Sequence, residues 1–316
     1  MELRKLGSSD LNVSVIGLGC NNFGRVVDLG RTRAVVAAAI DAGVNFLDTA
    51  ERYGEGDSER FLGEALRGRR TEVVLATKFG GGRPGGTARG TAEYIRNAVE
   101  GSLERLQTDY IDLLYYHAPD GVTPIAETLA ALDTLVEQGK VRAIGCSNFS
   151  AEQLAEGDDV AASNGTSRFC ALQNQYSLLE RNADADVIPV CRRVDAGFVA
   201  YFPLASGLLT GKYKRGEAPA EGTRLSRWGS GELLSDPTFD EVDRLTAFAE
   251  ERGHSLHELA IASVTSTPGV ASALVGATSP EQVRANAAVD WRLSPDELDG
   301  VPRVEGHGVH SGPRRR

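Results

Sequence analysis

The sequence is poor in the residues that build metal centres and disulfide frameworks. It has five histidines, and His117 is the only one before His254. Its four cysteines lie far apart without a CxxC spacing: Cys20, Cys146, Cys170 and Cys191. A structural zinc site, a redox dithiol and a histidine-rich metal centre are therefore excluded, and we expect no bound metal. Three of the cysteines lie in apolar segments, where they are typical of small core residues.

Positive charge and long apolar runs are also scarce. The net charge is −10, which gives a nucleic-acid-binding role no general electrostatic support. The only basic run is 314–316, interpreted as a solvated tail. No run reaches 18 apolar residues and the N-terminus lacks a signal-peptide pattern, so we expect no membrane span and a cytoplasmic location.

Short apolar runs recur along the chain, each followed by a helix-length amphipathic segment. They are VSVIGLG (13–19), VNFLD (44–48), EVVLATK (72–78), YIDLLYYH (110–117), VRAIGCS (141–147), FCALQNQ (169–175), GFVAYFP (197–203) and ASALVGA (271–277). Such runs are typical of parallel strands covered on both faces. Eight strands alternating with helices favour a closed (β/α)8 TIM barrel over an open sheet, an α/β fold.

Three segments depart from this alternation. Residues 2–12 predict a short β-hairpin before the first barrel strand, and 304–316 predict a loose tail after a single barrel domain at 1–303. Between strands seven and eight, the Gly- and Ser-rich stretch 222–236 predicts an extended loop over the barrel mouth, followed by one or two helices. After strand eight, Ser279 and Pro280 have the pattern of a helix cap and first turn.

Ionisable side chains stand at the ends of three successive predicted strands. Strand two ends in Asp48, with Tyr53 five residues later, strand three ends in Lys78 and strand four ends in His117. Any one of them alone is explained by a helix cap or a solvated strand end. Together they predict a catalytic site, because chemistry in such barrels collects at the carboxyl ends of the strands.

These four residue types suit proton transfer to or from an oxygen. A free phenol titrates near pH ~10, and a nearby ammonium such as Lys78 lowers that pKa. Asp48 can hold Lys78 charged, and His117 can bond the substrate oxygen or relay the proton. Proton donation by Tyr53, without a metal or a serine nucleophile, suits carbonyl reduction with a cofactor hydride. The segment GLGCNNFG (17–24) has Asn22 where a G-x-G-x-x-G motif needs its third glycine, so a Rossmann fingerprint is absent.

The chain resembles the aldo-keto reductase superfamily over roughly residues 2–300. The most specific stretches are DAGVNFLDTAERYGEGDSERFLGEAL (41–66), DYIDLLYYHAPD (109–120), GKVRAIGCSNFS (139–150), QNQYSLLER (173–181), AYFPLASGLLTGKY (200–213) and GATSPEQVRAN (276–286). The last two resemble the bacterial branch and the potassium-channel beta subunits. The resemblance implies a catalytic tetrad of Asp48, Tyr53, Lys78 and His117, and NAD(P)(H) bound across the barrel mouth.

The same resemblance implies a set of cofactor-binding residues. Ser147, Asn148 and Gln173 should hold the nicotinamide carboxamide, and Tyr201 should stack on its ring. The remaining expected contacts are Gly19, Cys20, Asn21, Asp48, Pro203, Leu204, Ser206, Leu208, Lys212, Arg224, Gly276, Thr278, Gln282 and Asn286. Arg224 should favour NADP(H) through its charge, whereas Thr278 and Ser279 bring only hydroxyls, so NADP(H) is the preferred cofactor and NAD(H) a possible one.

Three classes of function remain open at this stage. The first is an enzyme that reduces an aldehyde or ketone, or oxidises an alcohol. The second is a cofactor-binding regulatory subunit that serves a partner protein, which the beta-subunit resemblance suggests. The third, a metal-dependent barrel hydrolase, is disfavoured by the lack of clustered ligands. The sequence leaves the substrate open among sugars, keto-sugars, steroids and simple aldehydes, and it leaves the oligomeric state undetermined.

Overall fold

A computed structural model describes residues 1–82, 84–229 and 231–303. Its ten strands in the described ranges are β1 (Leu3–Lys5), β2 (Asn12–Ser14), β3 (Ile16–Gly19), β4 (Phe46–Asp48), β5 (Val74–Phe79), β6 (Ile111–Tyr116), β7 (Val141–Ser147), β8 (Phe169–Gln175), β9 (Gly197–Tyr201) and β10 (Val270–Gly276). Each of the eight barrel strands overlaps one of the apolar runs, which confirms those runs as strands.

Helices separate the strands along the chain. They are α1 (Leu29–Asp41), α2 (Asp57–Ala65), α3 (Ala92–Leu106), α4 (Ile125–Glu137), α5 (Ala151–Asn164), α6 (Val187–Arg193), α7 (Arg224–Trp228), α8 (Asp236–Glu250), α9 (Leu256–Ser266), α10 (Pro280–Ala287) and α11 (Pro295–Gly300). Most begin after a residue whose side chain accepts a backbone N–H. The expected cap at Ser279 is one of these, since its side chain accepts from the backbone N–H of Gln282.

The sheet closes into a barrel in the order β10-β3-β4-β5-β6-β7-β8-β9, and neighbouring strands are parallel. The expected (β/α)8 barrel is therefore confirmed. Parallel strands carry their carboxyl ends to one rim, so the polar residues that end β4, β5 and β7 share one mouth. Apolar side chains fill the interior, among them Phe46, Leu113 and Val199.

An antiparallel hairpin of β1 and β2 closes the opposite end of the barrel. Its side chains Leu6, Leu11 and Val13 belong to the interior apolar cluster and are nearly or fully buried. Gly7 has φ +52°, and a Cβ there would lie 2.3 Å from the carbonyl oxygen of Cys170, so only glycine fits. The hairpin extends further than expected. Its second strand runs to Ser14, and the run 13–19 is divided between β2 and β3.

The two longer helices α8 and α9 before β10 agree with the expectation of one or two helices. The expected extended loop at 222–236 is wrong in part, because the range contains the short helix α7 and the 3-10 helix Gly231–Leu234. Residues 304–316 lie outside the described residues, so the division into a barrel domain at 1–303 and a tail stays a prediction. In the described part of the chain, no helix is long and apolar enough to span a membrane.

Asp120 ties together two of the loops beside the mouth. Its carboxylate accepts the backbone N–H groups of Arg89, Gly90, Val122 and Thr123, and the Thr123 hydroxyl, at 2.7–2.9 Å. Burial alone raises the pKa of this carboxyl, but the hydrogen bonds from Thr123, Val122 and Gly90 outweigh it and hold the pKa below its ordinary value.

We therefore expect Asp120→Asn to lower the free energy of unfolding at neutral pH by about 1–3 kcal/mol, because an amide cannot accept this set of donors. A group with a depressed pKa stabilises the fold above its unfolded-state pKa, near ~4, and loses that contribution as the pH falls through its folded-state value. The difference in free energy of unfolding between wild type and variant, measured by urea unfolding, should thus become smaller below pH ~4. Asp41→Asn, at an exposed ion pair with Arg69, is the control, and its free energy of unfolding should stay close to that of the wild type at every pH.

Candidate active site

A buried ion pair lies at the centre of the mouth. Lys78 on β5 donates from Nζ to Asp48 Oδ2 at the end of β4 at 2.5 Å, and to the backbone oxygen of Thr49 at 2.8 Å. Both side chains are almost fully buried. Burial lowers the pKa of Lys78, but the charge of the Asp48 carboxylate and the hydrogen bond to it outweigh burial and raise the pKa, so Lys78 is a fixed cation.

Tyr53 lies directly above this pair. It begins the 3-10 turn Tyr53–Gly56 that follows β4, and its ring centre is 5.1 Å from Lys78 Nζ. Burial raises the pKa of the Tyr53 phenol, and Lys78 offsets only part of that rise. The expectation that Lys78 brings the phenol below its ordinary pKa is therefore corrected, because desolvation of the phenolate outweighs the attraction of the ammonium. A phenol of this kind stays protonated at neutral pH and suits a proton donor.

His117 completes the predicted cluster. It follows β6, its backbone N–H donates to the Phe79 carbonyl at 2.9 Å, and its ring packs edge-on against that of Tyr53 with centroids 5.9 Å apart. The structure thus brings Asp48, Tyr53, Lys78 and His117 to one site, as the strand-end argument predicted. The imidazole and the phenol are therefore direct neighbours at this site.

A row of polar side chains runs from Asp48 along the ends of β7, β8 and β9. Gln173 Nε2 donates to Asp48 Oδ1 at 2.8 Å, and the Ser147 hydroxyl donates to the backbone oxygen of Gln173 at 2.8 Å. Asn148 has φ +58°; its amide nitrogen donates to the His117 carbonyl, and its Oδ1 accepts from the Tyr201 hydroxyl at 2.8 Å. These amide and hydroxyl groups form a polar wall of the kind that a carboxamide needs.

The segment after β9 has the shape of an anion cradle. Phe202, Ala205 and Ser206 have φ values of 58°, 44° and 58°. Non-glycine residues with positive φ are strained and cluster at functional sites. At Gly207 a Cβ would lie 2.5 Å from Lys212 Nζ, so the missing side chain makes room for the ammonium. A turn of left-handed residues beside a lysine suits the diphosphate of a dinucleotide cofactor, while the neighbouring Pro203 and Leu208 are buried and Leu204 half-buried.

The opposite side of the mouth is formed by β3, β10 and α10. Gly19 and Gly276 are register partners at the strand ends, and a Cβ on Gly19 would meet no atom closer than 3.9 Å. Two adjacent residues without side chains let a ligand approach the backbone. The helix start beyond them carries Thr278, whose N–H and hydroxyl donate to Gln282 Oε1. The residues of the mouth therefore fit an extended dinucleotide.

Two predicted contacts face away from this opening, and one is only half accessible. The thiol of Cys20 is buried among the helix-side apolar residues, while its backbone N–H and carbonyl bond Asp48 and Ser58. Asn286 is buried and its Oδ1 bonds His257 Nε2 at 2.9 Å. Asn21 is half-buried in the turn after β3. The sequence pattern places these residues near the mouth but cannot tell which way each side chain turns.

The expected contact of Arg224 with the adenosine end stays a prediction, and in the structure this side chain packs against Phe202. Its guanidinium carbon is 4.6 Å from the centre of the Phe202 ring, and burial lowers its pKa to about 10. Burial raises the pKa of Tyr53, and the charge of Arg224 is one of the smaller influences that lower it. Sequence reasoning also missed Arg52, beside Tyr53, which has no strand-end signal.

The fold and the mouth define an α/β barrel with a tyrosine, a lysine, an aspartate and a histidine gathered at the carboxyl ends of its strands. The Aldo/keto reductase family model matches residues 15–304, and the chain belongs to this family of NAD(P)H-dependent oxidoreductases. The chain is 36% identical to a "Probable voltage-gated potassium channel subunit beta" of Oryza sativa subsp. japonica over 100% of this chain and 98% of that protein. It is 35% identical to "Aldo-keto reductase YhdN" of Bacillus subtilis (strain 168), over 96% and 93% of the two chains.

Proposed function

We propose that this protein is an NAD(P)(H)-dependent reductase of aldehydes or ketones, also able to run the reverse oxidation, with Tyr53 as the general acid. The position of the Tyr53 phenol over the buried Lys78–Asp48 pair carries the proposal. A cation fixed beneath a phenol stabilises the phenolate that forms when the proton leaves.

The proposed steps follow from the contacts of these side chains. The Tyr53 hydroxyl donates its proton to the carbonyl oxygen of the substrate, and His117 holds that oxygen by a hydrogen bond. The Lys78 ammonium stabilises the resulting phenolate, while Asp48 and the Thr49 carbonyl keep the ammonium in place. A reduced nicotinamide cofactor supplies the hydride when bound.

The polar wall and the cradle would hold that cofactor. We assign the carboxamide to Ser147, Asn148 and the free oxygen of the Gln173 amide, whose nitrogen bonds Asp48. Tyr201 would stack on the nicotinamide, and the diphosphate would lie along the 204–208 turn beside Lys212. The adenosine end would lie over Gly19 and Gly276, against Thr278 and Gln282. This path places the reacting end of the cofactor at Tyr53.

The direct test is turnover of 4-nitrobenzaldehyde, followed by the loss of NADPH absorbance at 340 nm. We expect steady-state reduction by the wild-type protein. Absence of turnover with NADPH and NADH, across a panel of aldehydes and ketones, would contradict the proposal.

A second candidate is a cofactor-binding subunit that regulates a partner protein with little turnover of its own. The similarity to the rice protein favours it, since that relative is named a probable voltage-gated potassium channel subunit beta. An intact tetrad argues against this alternative only weakly, because a regulatory subunit can retain the tetrad. Tight NADPH binding together with failure on the whole carbonyl panel would favour this alternative.

We further propose that NADP(H) is preferred over NAD(H) by a modest factor. The support is the start of α10, where the helix N-terminus is capped by Ser279 and the exposed Arg284 lies one turn on, 3.9 Å from Glu281. The helix N-terminus and the guanidinium of Arg284 are groups that can bind a 2′-phosphate.

Arg224→Ala should weaken NADPH and NADH by similar factors, about tenfold, because it packs on Phe202, next to Tyr201, on the side shared by both cofactors. Arg284→Ala should instead weaken NADPH selectively, by about threefold, as expected of an exposed charge. Dissociation constants from fluorescence titration measure both effects. If Arg224→Ala loses affinity for NADPH and not for NADH, Arg224 binds the 2′-phosphate. If the wild type binds NADH more tightly than NADPH, the proposed preference for NADP(H) is wrong.

A further inference from the structure

Arg52 stands at the mouth immediately before Tyr53 in the chain. Its side chain is exposed, and Nη1 donates to the backbone oxygen of Gly81 at 2.6 Å. A guanidinium has five N–H donors, and the Gly81 carbonyl takes one of them. In the described ranges, no carboxylate forms an ion pair with Arg52. The remaining donors are therefore open to a ligand.

Gly81 holds Arg52 next to a catalytic side chain. A Cβ at Gly81 would lie 2.9 Å from Arg52 Cδ and equally 2.9 Å from His117 Nδ1, so both side chains pack against the same bare face of the backbone. The arginine stem and the imidazole are therefore neighbours across one glycine. The bond to the Gly81 carbonyl fixes the guanidinium beside the opening instead of leaving it free in solvent.

The nearby carboxylate does not neutralise this cation. Glu51 Oε1 accepts from the Gly80 N–H at 2.8 Å and from the Tyr94 hydroxyl at 3.1 Å, and burial raises the pKa of Glu51. The next acidic residue along the chain is Glu55, two residues beyond Tyr53, and its side chain is exposed.

A second arginine lies at the mouth. The guanidinium carbon of Arg224 is 4.6 Å from the ring centre of Phe202, the residue that follows β9. The chain as a whole has a net charge of −10. Arg52 and Arg224 thus bring two positive charges to the mouth of an acidic protein, and such local positive charge attracts anions from solution.

We propose that the protein selects carbonyl substrates that carry a carboxylate, and that Arg52 binds this carboxylate while the carbonyl oxygen lies at Tyr53 and His117. The inference rests on the proposed function, since it names the substrate class of the same site. A guanidinium matches the two oxygens of a carboxylate with parallel hydrogen bonds, which an uncharged substituent of the same shape cannot accept as strongly.

Two aldehydes of the same shape isolate the charge. In 4-carboxybenzaldehyde and 4-nitrobenzaldehyde, a planar group with two oxygens lies opposite the aldehyde, and only the carboxylate is anionic. The measured quantity is the ratio of kcat/KM for the carboxy compound to kcat/KM for the nitro compound. Comparing this ratio between variants cancels the difference in intrinsic reactivity of the two aldehydes.

We expect Arg52→Gln to lower this ratio by about tenfold, and Arg52→Lys to restore part of it. Arg60→Gln is the matched control. Arg60 is an exposed arginine on α2, paired with Asp57, and its removal should leave the ratio unchanged. In the wild type, the ratio should fall as the ionic strength rises, since exposed charges are screened by salt. Circular dichroism of each variant checks that it is folded.

A binding measurement without turnover completes the test. Calorimetric titration of 4-(hydroxymethyl)benzoate should show weaker binding to Arg52→Gln than to the wild type, and equal binding to Arg60→Gln. An unchanged kcat/KM ratio in Arg52→Gln and Arg52→Lys, or an equal fall in Arg60→Gln, would overturn the assignment. If the wild type reduces 4-nitrobenzaldehyde and the variants give either of these two results, only the inference about Arg52 fails. If it reduces neither aldehyde nor any carbonyl of the panel, the proposed function fails with it.

Discussion

A Tyr53→Phe variant is expected to lose carbonyl reduction by at least ~10²–10⁴-fold while binding the cofactor almost as tightly as the wild type. Phenylalanine keeps the ring that packs against His117 and removes the hydroxyl proton. The Lys78–Asp48 pair beneath it keeps its own bonds, so the cleft should keep its shape. Single-turnover reduction with NADPH measures the chemical step, and fluorescence titration measures the cofactor affinity.

Tyr110→Phe is the control for this substitution. Tyr110 packs under Arg70 away from the mouth, with the guanidinium 4.1 Å from its ring centre, so the loss of its hydroxyl should not affect turnover. A Tyr53→Phe protein that keeps most of the single-turnover rate would show that another group donates the proton.

A Lys78→Met variant is expected to be the other strongly impaired protein, with a changed pH profile. The ammonium lowers the pKa of Tyr53 against the effect of burial, so its removal should raise that pKa further. Reduction needs the protonated phenol, and the decline of kcat/KM at alkaline pH should therefore move to higher pH. The measurement is the pH dependence of the residual kcat/KM, compared with the wild type.

Stability must be separated from chemistry in this variant. Removing Lys78 leaves Asp48 buried without its cation, and breaking a buried ion pair in this way costs about 3–5 kcal/mol. The double variant Lys78→Met with Asp48→Asn removes the orphaned charge and should recover part of the stability without recovering turnover. If both variants fold and their pH–rate curves match the wild type, Lys78 does not act on the Tyr53 phenol.

The fold could be predicted from the sequence because the signals that indicate it are local. Apolar runs, turn residues and caps such as Ser279 each depend on neighbours within a few positions, so all eight barrel strands could be predicted. The strand-end rule then predicted that Asp48, Lys78 and His117 converge, since parallel strands share one rim. The division of the run 13–19 at Val15 could not be predicted, because it depends on where the hairpin docks.

The details of the site depend on distant partners and on burial. The bond from Gln173 to Asp48 joins residues 125 positions apart, and no spacing within either motif signals it. Whether the pKa of Tyr53 is raised or lowered depends on how much water the fold excludes from the phenol. The attraction between the phenolate and Lys78, which the sequence does suggest, does not include this effect. The position of Arg224 likewise depends on the packing of a long loop against Phe202.

The hairpin that closes the end of the barrel opposite the mouth also determines when its contacts can form during synthesis. Arg4 Nη1 donates to the carbonyls of Thr265 and Val270, and the Ser272 hydroxyl donates to that of Ser14. Glu2 pairs with Arg292 near the far end of the chain. The hairpin is thus synthesised long before the β10 residues that it bonds, and Leu6 waits for Ala271 and Leu274 of its apolar cluster until β10 has left the ribosome. A nascent chain stalled before β10 carries an open barrel end, which is the kind of surface that chaperones bind and that aggregates when left uncovered.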